Sequence, residues 1–211
     1  MGSTYQKSEA YRATGAVGVP PTPPPVEVAG SPQRQLPVLC AERYTGLMAN
    51  PRVYVETSIP SFYHEVRTTP DVVARKDWTR QWWEDATAKY ELVTSPAVIN
   101  ELSAGIPERS AQRLAVIRDL PLLPIEPAIA DIAVAYIQHK VMPADPAGDA
   151  LHLAIASFHK CDFLVTWNCR HLANANKFGH IRRVNTLLGL FVPALVTPLE
   201  LRGVDHESIN D

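Results

Sequence analysis

From Arg52 to Thr197 short runs of β-branched and aromatic residues alternate with segments of helical periodicity. This alternation constrains the fold more than any other feature. Its clearest instance is residues 147–167. AGDALHLAIASFHK reads as a helix apolar on most sides, and Asp162-Phe163-Leu164-Val165-Thr166-Trp167 follows it as a buried strand. Further strands are expected at 53–56, 91–95 and 191–197. The candidate at 120–125 holds two prolines and so belongs near a sheet edge. Helices are expected at 71–90, 96–105, 108–119, 127–141, 170–177 and 180–190. Ser95-Pro96 supplies a cap and a proline at a first helical position, and Gly105 a stop. Strands separated by helices predict a three-layer α/β/α domain around a central, mainly parallel sheet.

Three regions follow. Residues 1–50 lack sustained periodicity, and VPPTPPPVEVAGSPQRQLP is too rich in proline for helix or central strand. This region is expected to be an extended, polyproline-like, disordered extension, with Met48 as a candidate natural start. Residues 51–198 form the domain, and 199–211 a C-terminal tail. No apolar run is long enough to span a membrane, and the N-terminus has no signal-peptide core. Three cysteines (Cys40, Cys161, Cys169) make neither a disulfide framework nor a zinc pair, which points to the cytoplasm. Cys161 and Cys169 are expected to be buried thiols. A net charge of -2 rules out a basic coat over the whole chain, though not a local basic patch.

Several chemistries are excluded by missing motifs. The chain has no GxxxxGK[ST], no GxGxxG after a strand, no GxSxG and no HExxH. A set of polar groups remains. In an open parallel sheet, sites gather at the carboxyl ends of the strands. Glu56 ends the first strand, and Asn168 lies just beyond the strand at 162–167. Glu101 sits early in the helix after the second strand, and Asp149 opens the helix at 147–160. Helices return antiparallel to the strands, so these helix starts fall on the same edge. Three carboxylates and a carboxamide are hard oxygen ligands suited to Mg²⁺ or Mn²⁺. Each also has a plainer reading: Asp149 as a helix-dipole partner, Glu101 as an exposed helical acid, Asn168 as a turn residue. Glu56 is harder to place without a partner, because a carboxylate after Val-Tyr-Val faces a costly burial.

The stretches VYVETSIPSFY, VTSPAVINELSAG and GDALHLAIASFHKCDFLVTWNCRHLANANK together resemble the PIN-domain family, and within it the VapC-like type II toxin ribonucleases. The resemblance covers residues 52 to about 198. It implies a parallel sheet flanked by helices, with acids that bind Mg²⁺ or Mn²⁺ and hydrolyse RNA phosphodiester bonds. Glu56 falls where the family usually has its first Asp, Glu101 at its helical Glu, and Asp149 at the Asp opening its long helix. Asn168 stands where a fourth acid is common. Glu in place of Asp lengthens the ligand arm by one methylene, and Asn168 removes a charge from a second metal position.

On this reading Glu56, Glu101 and Asp149 are catalytic and, with Asn168, hold the metal. Thr57, Ser58 and Thr166 orient phosphate or the ligands, or simply cap strand ends. His152 is expected to be a packed, hydrogen-bonded histidine. Lys160, Arg170, Lys177, Arg182 and Arg183 form the main candidate for RNA contact, the alternative being a solvated basic face. Arg75, Lys76 and Arg80 are a weaker candidate, offset by Asp77, Glu84 and Asp85. The expected partners are RNA, a small antitoxin and a second copy in a homodimer. The alternative functions are a catalytically weak or inactive PIN-like interaction module and a receiver-like signalling domain. The receiver requires an acidic pair after the first strand, yet Thr57-Ser58-Ile59 follow Glu56.

Overall fold

Val53, Tyr54 and Val55 are fully buried, as a run of three apolar residues requires when helices cover both faces of its strand. They form most of β1 (Arg52–Val55), at the centre of a sheet completed by β2 (Glu91–Val93), β3 (Phe163–Val165) and β4 (Ala194–Val196). The computed structural model describes residues 50–145 and 147–202. The proline-rich extension with Cys40 and Met48, Pro146 and residues 203–211 lie outside the described residues. The strand order is β2-β1-β3-β4 and every pairing is parallel. Tyr54 registers with Val93 on one side and Leu164 on the other. All four carboxyl ends therefore lie on one edge.

The helices among the described residues are α1 (Ser58–Tyr63), α2 (Pro70–Lys89), α3 (Pro96–Ser103), α4 (Pro107–Ile117), α5 (Pro127–Gln138), α6 (Asp149–Phe158), α7 (Ala175–Leu187) and α8 (Pro198–Leu201). Five of them, α2 to α5 and α8, begin at proline, whose fixed φ suits a first turn and whose missing N–H costs nothing there. The arrangement is the three-layer α/β/α fold with a parallel sheet. The apolar α6 is buried from Ala150 and from His152 to Ser157, as its composition demands. Tyr136 Oη of α5 donates to Ser157 Oγ (3.1 Å) or to Asn185 Oδ1 (2.8 Å), so a buried polar cluster ties α5, α6 and α7 together. No helix among the described residues is long and apolar enough to cross a membrane.

Four expectations are corrected. The strand at 120–125 reduces to a single bridge between Thr94 and Leu122, because Pro121 and Pro124 cannot donate to a ladder. The two helices at 170–177 and 180–190 are one, α7, opened by Asn174, whose side chain accepts from the Asn176 N–H. Residues 170–174 are instead a turn, and Gly179 is carried within the helix. The tail begins later than expected: α8 buries Leu201, and Tyr90 Oη donates to the Leu201 carbonyl at 3.3 Å. Cys161 is buried, but Cys169 is exposed. The short helix α1, unassigned in the sequence, follows Glu56 directly.

Candidate active site

Glu56 is the first residue beyond β1, and only 6% of its surface is exposed. Its Oε2 accepts from the Ser58 N–H (3.0 Å) and from Ser58 Oγ (2.5 Å), both provided by the first residue of α1. Burial pushes the Glu56 carboxyl above the usual carboxylate range; the nearby His152 charge and the bonds from Ser58 and Thr166 offset this only in part. Ser58 Oγ also accepts from the Trp167 N–H at 2.8 Å and lies 3.4 Å from Thr166 Oγ1. The starts of two loops are thus pinned to one hydroxyl.

Glu101 lies in the second turn of α3, over the same edge. Its Oε1 meets His152 Nε2 at 2.9 Å, and Thr57 Oγ1 donates to its Oε2. His152, 2% exposed, also meets Tyr54 Oη at 2.8 Å through Nδ1, and Tyr54 Oη meets Ser95 Oγ at 2.7 Å. A continuous chain of hydrogen bonds therefore runs from Ser95 in the core to Thr57 at the edge. Burial alone would push the His152 imidazole down. The Glu101 bond and the charges of Glu56, Glu101 and Asp149 outweigh it and hold the imidazole above its ordinary range. Burial works against ionisation of Glu101, but its bonds and the His152 charge keep its carboxyl below the usual range. Buried Tyr54 stays a neutral phenol. His152 is the packed histidine the sequence suggests, but its partners make it the hub of the acidic edge. Its spacing from Asp149, i to i+3 on α6, puts both on one helix face and was the available signal.

Asp149 is the first residue of α6, where its charge also suits the helix dipole. Its Oδ1 accepts from Asn168 Nδ2 at 2.7 Å. Asn168 Oδ1 accepts from the N–H groups of Arg170 (3.2 Å) and His171 (3.1 Å). This fixes the carboxamide orientation: its oxygen closes the turn after β3 and its nitrogen donates to Asp149.

These groups suit a hard divalent cation in kind, being carboxylate oxygens without thiolate. Among the described residues, however, no three His, Cys, Asp or Glu side chains stand close enough to share one ion. Glu101 is already engaged by His152 and Thr57. Among the described residues, Asp149 accepts one side-chain hydrogen bond, from Asn168. A site of one or two carboxylates completed by waters and substrate phosphate is how Mg²⁺ is ordinarily held, and Asp149 and Glu56 fit it.

The basic residues disperse. Arg170 is exposed on the turn that Asn168 closes, beside the acids. Lys177 Nζ reaches the Val141 carbonyl at 3.3 Å. Arg182 and Arg183 are exposed about midway along α7. Lys160 follows the C-terminal end of α6, at the edge where the strands begin, and so is not part of the site. The chain direction of α6 carries it away from Asp149. Arg75, the weaker RNA candidate, packs on aromatic rings beside the site: its guanidinium lies 5.6 Å over the Phe62 ring and 5.5 Å over Trp167, the residue bonded to Ser58.

The sequence pattern that defines the PIN domain family matches residues 54–176, from the middle of β1 into the first turn of α7. No curated protein matches the chain.

Proposed function

The chain belongs to the PIN domain family, in general a family of nucleases, and on that premise we propose that it is a Mg²⁺- or Mn²⁺-dependent endoribonuclease. We assign it further as the toxin of a type II toxin–antitoxin pair, acting in the cytoplasm on RNA and held in check by a small antitoxin. The observation that carries the nuclease reading is the convergence of Glu56, Glu101 and Asp149, from three separate elements, around one buried histidine.

Asp149 and Glu56 would hold the cation, which when bound supplies positive charge to phosphate oxygens and acidifies a water. Glu56 is the buried carboxylate of the set, directly after β1. Ser58 fixes its rotamer. Asn168 holds Asp149 over the edge, and the Tyr54–His152 pair holds Glu101. Arg170, exposed on the turn that Asn168 closes, would meet a phosphate flanking the scissile one. The engagement of Glu101 by His152 favours a second reading, an inactive PIN-like interaction module. Single-turnover cleavage of a panel of structured RNAs separates the two. Cleavage that needs Mg²⁺ or Mn²⁺ and is lost in Asp149→Asn supports the nuclease; absence of cleavage and of any thermal shift with either metal supports the module.

A further inference from the structure

The acidic edge continues along α1 into an aromatic cluster. Tyr63 is the last residue of α1, so at about 1.5 Å of rise per residue it stands some 8 Å beyond Ser58. Its ring meets those of His64 and Trp83 edge to face, at 5.1 and 6.2 Å. Tyr63, His64 and Trp83, with Ala115 and Val116 of α4, line an open surface depression of about 290 Å³. That is near the lower end, about 300 Å³, of pockets that hold small ligands. The Arg80 guanidinium lies 5.5 Å over the Tyr63 ring, and its Nε donates to the Tyr63 carbonyl at 3.0 Å.

The charge here is positive. Burial, Arg80 and Arg113 together hold the His64 imidazole below its ordinary range, so at neutral pH it is a flat, uncharged ring. Arg80 and Arg113 form no salt bridge with a carboxylate among the described residues, whereas Asp71, one turn before Arg75 on α2, offsets part of the Arg75 charge. Of the acids expected to offset them, Asp85 pairs with Lys89, and both Glu84 and Asp85 line a separate cavity with Gln81 and Tyr90. Half-buried aromatic faces beside unpaired guanidinium groups match a ligand that is flat and anionic. A purely apolar helix would leave those charges unmatched.

We propose that the depression of Tyr63, His64 and Trp83 is a nucleobase pocket, which takes one unstacked base of single-stranded RNA while Arg80 and Arg113 meet the adjoining phosphates. Aromatic faces accept any base by stacking, and arginines add contacts to the backbone. Arg75, between Phe62 and Trp167, continues the cationic track toward Ser58. The proposal rests on the nuclease reading and specifies how that enzyme holds its substrate.

The test is binding of fluorescein-labelled eight-nucleotide RNAs of A, C and U to the full chain in EDTA, read by anisotropy and by tryptophan quenching. Metal-dependent cleavage by the parent is measured separately. Tyr63→Ala should weaken binding at least about tenfold, while Tyr63→Phe, which keeps the stacking face, stays within about twofold. Arg80→Gln should weaken binding and lower the salt slope by about 1. Equal binding by parent and Tyr63→Ala overturns the pocket and leaves the groove to a protein partner. A loss in Tyr63→Phe as large as in Tyr63→Ala also overturns it, since Phe keeps the ring and the loss would then lie with the hydroxyl rather than with stacking. A parent that binds no RNA overturns it outright. A parent that binds through Tyr63 yet cleaves nothing leaves the pocket standing and refutes the nuclease reading instead.

Discussion

Replacing Asn168 by aspartate isolates one electrostatic contact. The new carboxylate keeps the acceptor that closes the turn through the Arg170 and His171 N–H groups, so the local backbone is retained. What changes lies on the other side, where a donor 2.7 Å from Asp149 Oδ1 becomes a second negative charge. Two carboxylates relaxing to about 4 Å repel by about 4 kcal/mol at an effective dielectric constant near 20, and by about 1 kcal/mol in bulk water. Asp149 and Asn168 are both half-buried, so the cost falls between these limits, and the lost charge-assisted bond adds to it. A net destabilisation of about 3 kcal/mol corresponds to a drop in Tm of about 6 to 12 °C for a domain of this size. The sign with pH follows by linkage. A repelling pair binds a proton more tightly folded than unfolded, so stability relative to the parent falls as pH rises and recovers as pH falls toward 4. The assay is thermal melting of parent and Asn168→Asp at pH 4, 5, 6 and 7 in EDTA, repeated with millimolar Mn²⁺. The cation should shift the variant more than the parent, because two carboxylates at this position would hold it more tightly than one. A variant that melts within about 2 °C of the parent at pH 7, or a deficit unchanged at pH 4, would refute the contact and the orientation assigned to Asn168.

Three further outcomes are expected. Asp149→Asn should slow metal-dependent RNA cleavage at least about a hundredfold, some 2.7 kcal/mol of barrier, while Asn168→Ala slows it clearly less; single-turnover kinetics on variants shown to be folded by circular dichroism decide this. By NMR, His152 should titrate above the ordinary imidazole midpoint of about 6.5, and in Glu101→Gln, where burial remains and the main partner is gone, well below its position in the parent. Because the folded midpoint of His152 is raised and that of Glu101 lowered, their pair stabilises the fold fully between about pH 4.5 and 6.5. The His152 contribution is lost as pH rises through its folded midpoint, and the Glu101 contribution as pH falls through its own. Deleting residues 1–47, which lack the apolar periodicity needed to offset ordering entropy, should leave Tm within a few degrees.

The fold class was legible because its signals are local and redundant. Apolar runs at β1 and β3, prolines at five helix starts and an α6 apolar nearly all round each report burial without knowledge of the partner. From strand alternation follows a parallel sheet, and from a parallel sheet a single edge where Glu56, Glu101 and Asp149 must lie. Propensity failed where tertiary contacts overrode it. Pro121 and Pro124 left only a bridge at 120–125, and Asn168 and Asn174 held residues 170–174 in a turn and delayed the start of α7. The direction of α6 separated Lys160 from the acids, although the two are close in sequence. Side-chain orientation was decided only by the tertiary structure. Whether Asn168 offers oxygen or nitrogen to Asp149 depends on two backbone N–H groups, and whether His152 is inert packing or a hydrogen-bonded hub depends on Tyr54 and Glu101, 98 and 51 residues away. Hydrogen bonding and charge act over a few ångströms in space, and a sequence records separation along the chain only.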